Sequence, residues 1–343
     1  MANASDNASN TDMETSNTDT ETSTVSSVPS SAYNKKLKKT AYNTKLGLTP
    51  DVVESAKKSL FEFAQREEEH VEPGSSEVVV QENVPLDDFL TYRERDVRLP
   101  VRVYLCNGKI IINEIPTRIH AGVSALIKIL MGSWNHRDLL YFDDATMILG
   151  PNTAKEPDSM VRPVRRPRPP PAQAMDRRGT TYPTMVIEVG HMQTLPDLHR
   201  KVALYFNPRT TIQIVLAVKL NEPRRDNTIT IIVALYLRTS LTPLIPVDVR
   251  SFGTAPPSHS HKDYIYNIMG VPPHLFTGVG LSDANNNPFP PCARAGIPAY
   301  QMNIPATELF DGDPTGVPAS AVGGFNLDLW ELQFVARQGF NLP

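Results

Sequence analysis

Apolar and polar positions alternate most regularly in the middle of the chain, where the pattern predicts a strand, a helix and two further strands. Residues 184–189 form an apolar run around Glu188, which is typical of a strand buried on both faces. Thr194 and Asp197 resemble a capping box and begin a helix. Its apolar face comprises Leu195, Leu198, Val202 and Tyr205. Residues 210–220 and 227–238 then alternate as strands, so the pattern predicts a mixed sheet with flanking helices.

Two strands and a helix are predicted upstream of this unit. Residues 101–105 and 109–115 are strand-like and flank Asn107-Gly108, a pair that suits a type I′ hairpin turn. Thr117 then caps a helix whose apolar residues are Ile119, Val123, Leu126, Ile127 and Leu130. An earlier helix, capped by Thr49, is predicted from Pro50 to Glu69.

These patterns divide the chain into four predicted segments. Residues 1–48 are rich in Ser, Thr, Asn and Asp and predict a disordered tail. A helix and linker follow at 49–83, then an α/β domain with a mixed central sheet and flanking helices at 84–240. Residues 241–343 predict an irregular Pro- and Gly-rich extension. The basic run at 35–39 is typical of a nuclear-targeting signal, a phosphate-binding patch or a solvated tail.

Composition narrows the class of protein. With 343 residues, 40% of them hydrophobic, the chain can bury a substantial core. Its net charge of -3 gives no overall bias toward nucleic acid, so any such surface must be local. Cys106 and Cys292 make neither a disulfide framework nor a zinc site of the usual spacing. No apolar run reaches the length of a membrane span, and the first residues lack a signal-peptide pattern. We expect an intracellular protein of the cytoplasm or nucleus, with no membrane partner.

Positive charge is concentrated in one Pro-rich segment, residues 161–178. It predicts an extended loop, because its prolines disfavour a helix or a central strand. The candidate nucleic-acid-binding residues are Arg162, Arg165, Arg166, Arg168, Arg177 and Arg178. We expect these arginines to bind the phosphate backbone of a nucleic acid. Alternatively, the Pro spacing suits a protein partner of the SH3 type.

Three residues around the central strand suggest hydrolytic chemistry. Asp158 and Glu188 are the candidate ligands of a divalent cation, Mg²⁺ or Mn²⁺. Lys201 falls on the border of the apolar helix face, where its ammonium group can orient an attacking water or stabilise the transition state. The alternative is that Glu188 ends its strand in solvent and Asp158 caps a turn.

The order of these pieces from residue 84 to about 237 resembles the Uma-type putative restriction endonuclease family, of the PD-(D/E)XK nuclease superfamily. The resemblance rests on Pro85–Phe89, Asn107–Ile110, His120, Glu156-Pro157-Asp158, Val186–Val189, Asp197 with Lys201–Tyr205, and Ile212–Val218. It implies a restriction-endonuclease-like fold and a metal-dependent nuclease acting on DNA. Asp158 and Glu188 would bind the metal, and Lys201 would be a lysine that has migrated to the helix. Members of the superfamily often dimerise, so a homodimer is also implied.

The sequence departs from the family pattern at two places. Gly190 occupies the usual lysine position, two residues after Glu188, and no acid stands near Tyr104, just before the hairpin turn. These departures favour an alternative function, a catalytically degenerate nuclease fold that acts as a nucleic-acid-binding or protein-interaction module. Glu114 is a substitute metal-site acid or, more commonly, a solvent-facing strand end.

Three further candidates rank below these residues. His191 and Gln193 follow the key strand and are candidate substrate contacts. His259 and His261 with Asp263 are metal-ligand types, but their setting favours an ordinary loop.

Overall fold

The structure is a computed structural model that describes residues 42–67, 75–95, 99–143 and 145–342. The described residues therefore exclude positions 1–41 of the predicted disordered tail and positions 68–74 of the predicted linker. The helices are α1 (Pro50–Glu67), α2 (Leu86–Arg93), α3 (Arg118–Trp134), α4 (Leu195–Tyr205), α5 (His259–Asp263), α6 (Ala306–Leu309) and α7 (Leu329–Gly339). The strands are β1 (Val78–Gln81), β2 (Arg102–Cys106), β3 (Lys109–Glu114), β4 (Leu139–Phe142), β5 (Met147–Gly150), β6 (Thr153–Lys155), β7 (Ser159–Pro163), β8 (Met185–Gly190), β9 (Ile214–Leu220), β10 (Thr230–Leu237), β11 (Asp248–Gly253), β12 (Phe276–Gly278), β13 (Gln301–Ile304) and β14 (Phe325–Asp328).

A seven-stranded sheet forms the centre of the fold, in the order β12-β11-β10-β9-β8-β7-β4. The β8–β9 and β11–β12 pairs are parallel, and the other pairs are antiparallel. The predicted α/β class with a mixed central sheet and flanking helices is therefore confirmed. Every residue of β8 and β9 is buried, as the apolar run at 184–189 predicts.

Helices cover both faces of this sheet because its residues alternate between two apolar layers. Ile187 packs in the layer that contains α3 and α7, whereas Val186 packs in the layer that contains α4. Glu188 is two residues after Val186, so its side chain projects toward the α4 face. The strand period therefore decides that the one carboxylate of β8 meets the helix that carries Lys201.

A second sheet, β1-β3-β2-β6-β5, packs with α1 and α2 around a separate apolar cluster. Its β2–β3 hairpin turns at Asn107 and Gly108, which have φ of 50° and 77°. Positive φ at both residues is what a type I′ turn requires, so the Asn-Gly prediction is confirmed. This hairpin carries Arg102 and Glu114 to the edge of the candidate site.

The C-terminal segment, 241–343, is more regular than the sequence predicts. Strands β11 and β12 extend the central sheet, β13 and β14 form a two-stranded ribbon, and α7 packs on α3. The strands are short and separated by Pro and Gly, so they carry little periodic signal of their own. All of the described residues lie in one compact unit, Thr40–Pro343.

The Arg/Pro segment also departs from its prediction, because its first residues form a central strand. β7 runs between β4 and β8 and contains Arg162 and Pro163. Pro163 pairs only with Leu139 of β4, since the pairing of β7 with β8 ends at Val161. A proline is tolerated there because no second strand needs its missing N–H. In the described part of the chain, no helix is long and apolar enough to cross a membrane.

Candidate active site

Glu188 lies at the centre of a buried polar cluster between β8, α4 and β6. Its side chain is 1% exposed, and its Oε2 is 3.1 Å from Nζ of Lys201. Its Oε1 is 3.1 Å from Nζ of Lys155 and also accepts a hydrogen bond from the Tyr205 hydroxyl. A buried carboxylate needs such partners, because an isolated charge in the interior is very costly. The alternative in which Glu188 ends its strand in solvent is wrong.

Asp158 lies immediately before β7, beside the end of β8. Its Oδ2 accepts a hydrogen bond of 2.7 Å from the backbone N–H of Val189, the residue after Glu188. Its Oδ1 is 2.9 Å from Nε2 of His120 and 3.7 Å from Nη2 of Arg102. Asp158 therefore joins two strand ends instead of capping a turn at the surface.

The pKa values of Asp158 and His120 move in opposite directions because the two groups stabilise each other's charge. Burial disfavours the Asp158 carboxylate, but His120, Arg102 and Lys155 outweigh that effect and lower its pKa well below the usual range. Burial likewise disfavours the His120 cation, yet the charge of Asp158 and its hydrogen bond raise the pKa of His120, with help from Glu114.

Lys201 is held from three sides. It contacts Glu188, donates to Oε1 of Gln193 and, with the Asn113 amide oriented to satisfy its neighbours, lies 3.0 Å from the Asn113 oxygen. Burial opposes its charge, but Glu188 and Asp158 raise its pKa, so the ammonium stays protonated. The sequence placed Lys201 on a helix border, whereas it is 1% exposed.

Sequence reasoning missed Lys155, a second buried lysine on Glu188. It ends β6, three residues before Asp158, and donates to the backbone oxygen of Glu156 at 3.3 Å. Its ammonium also lies 5.5 Å from the centre of the Tyr104 ring. Burial lowers its pKa despite the nearby Glu188. The available signal was its position just before Glu156-Pro157-Asp158.

Glu114 is not the solvent-facing strand end that the sequence favours. It is fully buried at the end of β3, and its Oε1 accepts a hydrogen bond of 3.0 Å from the N–H of Met192. Its Oε2 is buried and has no hydrogen-bond partner among the described residues. Such an oxygen is costly unless a further group satisfies it. Glu114 thus supplies an acid at the hairpin, although not at the position near Tyr104.

The donor set suits a hard divalent cation, because two carboxylates share one edge of the sheet and a third has an unsatisfied buried oxygen. Within the part of the chain that the structure describes, however, no three His, Cys, Asp or Glu side chains lie in a ready metal cluster. The ammonium groups of Lys155 and Lys201, in place of a metal cation, compensate the charge of Glu188. Cation binding at Glu188 must therefore compete with these ammonium groups.

The packing around Gly190 explains why glycine and not lysine stands two residues after Glu188. A Cβ at Gly190 would lie 2.8 Å from Cδ1 of Leu198 in α4. The helix packs directly over the strand end, so it leaves no room for lysine at this position. The same close packing brings Lys201, one turn further along α4, to Glu188.

The six candidate arginines do not share one surface. Arg162 stacks on Phe142, Arg165 pairs with Asp138 and Asp313, and Arg166 is largely buried and binds Asp311 and the Tyr182 carbonyl. Arg168 and Arg178 are exposed, and Arg177 pairs with Asp87 and Glu94. Arg177 and Arg178 are the two of this set that line a pocket beside the site. Arg166 is thus held within the fold by Asp311 and two backbone carbonyls.

The lower-ranked candidates separate into two groups. Gln193 belongs to the cluster through Lys201. His191 is buried beside it, with Nε2 2.9 Å from Glu222 and Nδ1 3.2 Å from the Thr117 hydroxyl. His259 and His261 lie on α5, where Ser258 bonds His261.

Comparisons with known proteins find one family that part of the chain resembles. Residues 86–225 match the family Uma2, described as putative restriction endonucleases. The resemblance seen in the sequence is thereby confirmed over that part of the chain, which contains Asp158, Glu188 and Lys201. No curated protein matches the chain. Among solved structures, a putative nuclease from Anabaena variabilis is similar over 52% of this chain and 92% of its own, at 17% identity and a TM-score of 0.33.

Proposed function

We propose that this protein is a metal-dependent nuclease that hydrolyses DNA phosphodiester bonds. The observation that carries the proposal is the convergence of Asp158, Glu188 and Lys201 in one buried cluster within the segment that matches the nuclease family. The three residues are 30 and 13 positions apart in the sequence, and the sheet and α4 bring them together.

Asp158 and Glu188 are the proposed ligands of Mg²⁺ or Mn²⁺, and Glu114 is the adjacent acid with an unsatisfied oxygen. A divalent cation, if held there, would polarise a phosphate oxygen and lower the pKa of the attacking water. Hydrolysis then joins the water oxygen to phosphorus, breaks the bond from phosphorus to the leaving sugar oxygen and moves one proton from the water to that oxygen.

The remaining side chains position this centre. His120 and the Val189 N–H fix both oxygens of Asp158, and Tyr205 fixes one oxygen of Glu188. Lys201, fully protonated and fixed by Gln193, is the proposed group that stabilises negative charge on the transferred phosphate. Lys155 is the second cation within reach of the same carboxylate.

The test is cleavage of supercoiled and single-stranded DNA with Mg²⁺ or Mn²⁺, comparing wild type with Glu188→Gln and Asp158→Asn. We expect both variants to lose cleavage by about 100-fold or more, as for removal of a group that stabilises a transition state. Glu54→Gln, which changes an exposed acid of α1 outside the cluster, is the matched control and should retain cleavage. Chelation of the metal should abolish cleavage by wild type.

Folding must be checked in the same experiment, because breaking a buried ion pair costs about 3–5 kcal/mol. Asp158→Asn keeps an oxygen that can accept the Val189 N–H, so it is the milder change. Urea unfolding of each variant identifies those that are folded under the assay conditions. Full cleavage by a folded Asp158→Asn protein would refute the proposed metal site.

A second candidate function is nucleic-acid binding on a nuclease fold that has lost hydrolysis. It is favoured by the bonding of Asp158 and Glu188, because each of their carboxylate oxygens already contacts a donor of the protein. In that case neither wild type nor Glu188→Gln cleaves DNA, and both bind it with affinity that falls steeply with salt. A protein-interaction module, in which the Arg/Pro segment binds the partner, would show neither property.

A further inference from the structure

A pocket of about 530 Å³ lies beside the candidate site, between α2, the start of β2 and residues 176–178. None of the roles proposed above uses it. Its size falls within the range of roughly 300–1,000 Å³ that is usual for small-ligand pockets. It is therefore large enough for a ligand of the size of one nucleotide.

Part of the pocket wall is apolar. Leu90, Leu99, Val101 and Val103 line it, together with Ala145. The flat face of a nucleobase buries well against a wall of this kind, and it needs no particular hydrogen-bond pattern to do so.

The polar part of the lining is mixed in charge: it includes the acids Glu94, Glu156 and Asp176, and arginine is its most frequent residue. It contains Arg93, Arg102, Arg177 and Arg178. Arg93 is neutralised by Glu156, and Arg177 is 2.6 Å from Asp87. An unpaired guanidinium group beside apolar side chains matches a ligand that is apolar at one end and anionic at the other.

Arg178 is the arginine best suited to bind an anion. It is exposed, and no acidic side chain pairs with it among the residues that the structure describes. Its backbone is fixed, because Asp176 Oδ1 accepts hydrogen bonds of 2.9 Å from the N–H groups of Arg178 and Thr180. The side chain therefore projects from a stable turn at the pocket.

The pocket adjoins the buried cluster that contains Asp158 and Glu188. Arg102 lines the pocket and its Nη2 is 3.7 Å from Oδ1 of Asp158. Glu156, another lining residue, accepts a hydrogen bond from Lys155 through its backbone oxygen. A ligand in the pocket thus lies one side chain away from the groups proposed to hydrolyse the phosphodiester bond.

We propose that this pocket binds one unpaired nucleotide of the substrate, with its base on the apolar wall and its phosphate on Arg178 and the neighbouring arginines. The proposal rests on the proposed nuclease function and specifies its substrate class, DNA with single-stranded character. A base inside a duplex must first leave the stack, and that cost is least for a base that is already unpaired.

The first test is titration of the wild-type protein with 5′-dAMP, deoxyadenosine and inorganic phosphate by calorimetry, without metal. We expect 5′-dAMP to bind more tightly than either of its two parts. Arg178→Ala should weaken 5′-dAMP binding by about tenfold, as for the loss of one charged hydrogen-bonding group. Arg225→Ala, a change at an exposed arginine outside the pocket, should leave it unaltered. Equal binding of 5′-dAMP and phosphate, or no effect of Arg178→Ala, would overturn the proposal.

The second test separates this proposal from the proposed function. Arg178→Ala should reduce affinity for a single-stranded oligonucleotide more than for its duplex, measured at one fixed salt concentration. Nucleotide binding that depends on Arg178 in a protein without cleavage activity would support the pocket and refute the nuclease. Cleavage that is lost in Glu188→Gln, with duplex and single strand bound equally by wild type, would support the nuclease and refute the pocket.

Discussion

At the scale of single residues, the two acids at the centre of the candidate site are buried and each is paired with basic side chains. Glu188 pairs with the ammonium groups of Lys155 and Lys201. Asp158 pairs with the imidazole of His120 and the guanidinium group of Arg102. Removing one partner from such a network leaves an uncompensated charge in the interior, which costs far more than breaking a pair at the surface. Stability and chemistry therefore depend on the same side chains.

The His120–Asp158 pair gives the first prediction, which concerns pH. The raised pKa of His120 means that its contribution to stability is complete below its ordinary pKa of about 6.5 and is lost as pH rises through the folded value. The lowered pKa of Asp158 acts in the opposite sense: its contribution is present above about 3.9 and is lost as pH falls. We expect urea unfolding to give a lower free energy of unfolding as the pH rises through the pKa of folded His120. We also expect it to fall as the pH is lowered toward the pKa of folded Asp158.

Substitution tests that assignment. His120→Gln should remove the loss of stability at high pH, whereas His136→Gln, at an exposed histidine, should keep the wild-type profile. An unchanged high-pH profile in folded His120→Gln would show that another group titrates there.

At the scale of elements, the position of α4 over β8 determines that a lysine of the helix lies beside Glu188. Leu198 packs on Gly190, where the superfamily pattern expects a lysine, and Lys201 then reaches Glu188. Thr194 begins the helix by accepting the N–H of Asp197 at 3.1 Å. The Thr194 cap fixes the residue at which α4 begins. Gly190 allows α4 to pack close to the end of β8.

Gly190→Ala gives the second prediction. The added methyl group would overlap Leu198, so we expect a loss of about 1–3 kcal/mol in the free energy of unfolding, as for overpacking. In a Leu198→Ala background the same substitution should cost less, because the overlapping atoms are gone. Gly132→Ala, whose Cβ would lie 3.9 Å from Tyr141, is the control and should be neutral or slightly stabilising. Equal costs in both backgrounds would contradict this account of the packing.

At the scale of the whole molecule, the C-terminal segment completes the core that supports the site. β11 covers the edge of β10, and Leu329, Leu332 and Ala336 of α7 belong to the same buried cluster as α3. A Cβ at Gly339 would lie only 2.6 Å from Ile119, so α7 packs tightly on the helix that carries His120. The domain predicted at 84–240 consequently lacks part of its own apolar core.

Truncation gives the third prediction. A fragment of residues 84–240 should unfold without a cooperative transition and bind a hydrophobic dye, because it exposes the faces that α7 and β11 cover. A fragment of residues 42–343 should keep the cooperative urea transition of the full chain. Cooperative unfolding of the shorter fragment would show that the segment 241–343 is an accessory extension.

Local signals in the sequence account for much of this structure. The Asn107-Gly108 turn, the caps at Thr117 and Thr194 and the buried strand around Glu188 all depend on neighbouring residues, so they could be predicted. A buried carboxylate requires a partner wherever the chain folds, and this rule alone identified Glu188 as exceptional. The sequence by itself thus determined the elements around Glu188, the mixed sheet and the central acid.

The partners of that acid were decided only by the tertiary structure. Lys155 and Glu114 meet the site through β6 and β3 of a second sheet, and Arg165, Arg166 and Arg177 pair with different acids. Nothing in local periodicity encodes such contacts, because they depend on how sheets and helices stack across large sequence separations. The same reason explains why strands β11 and β12, which gain their burial by joining an existing sheet, carried too weak a pattern to predict.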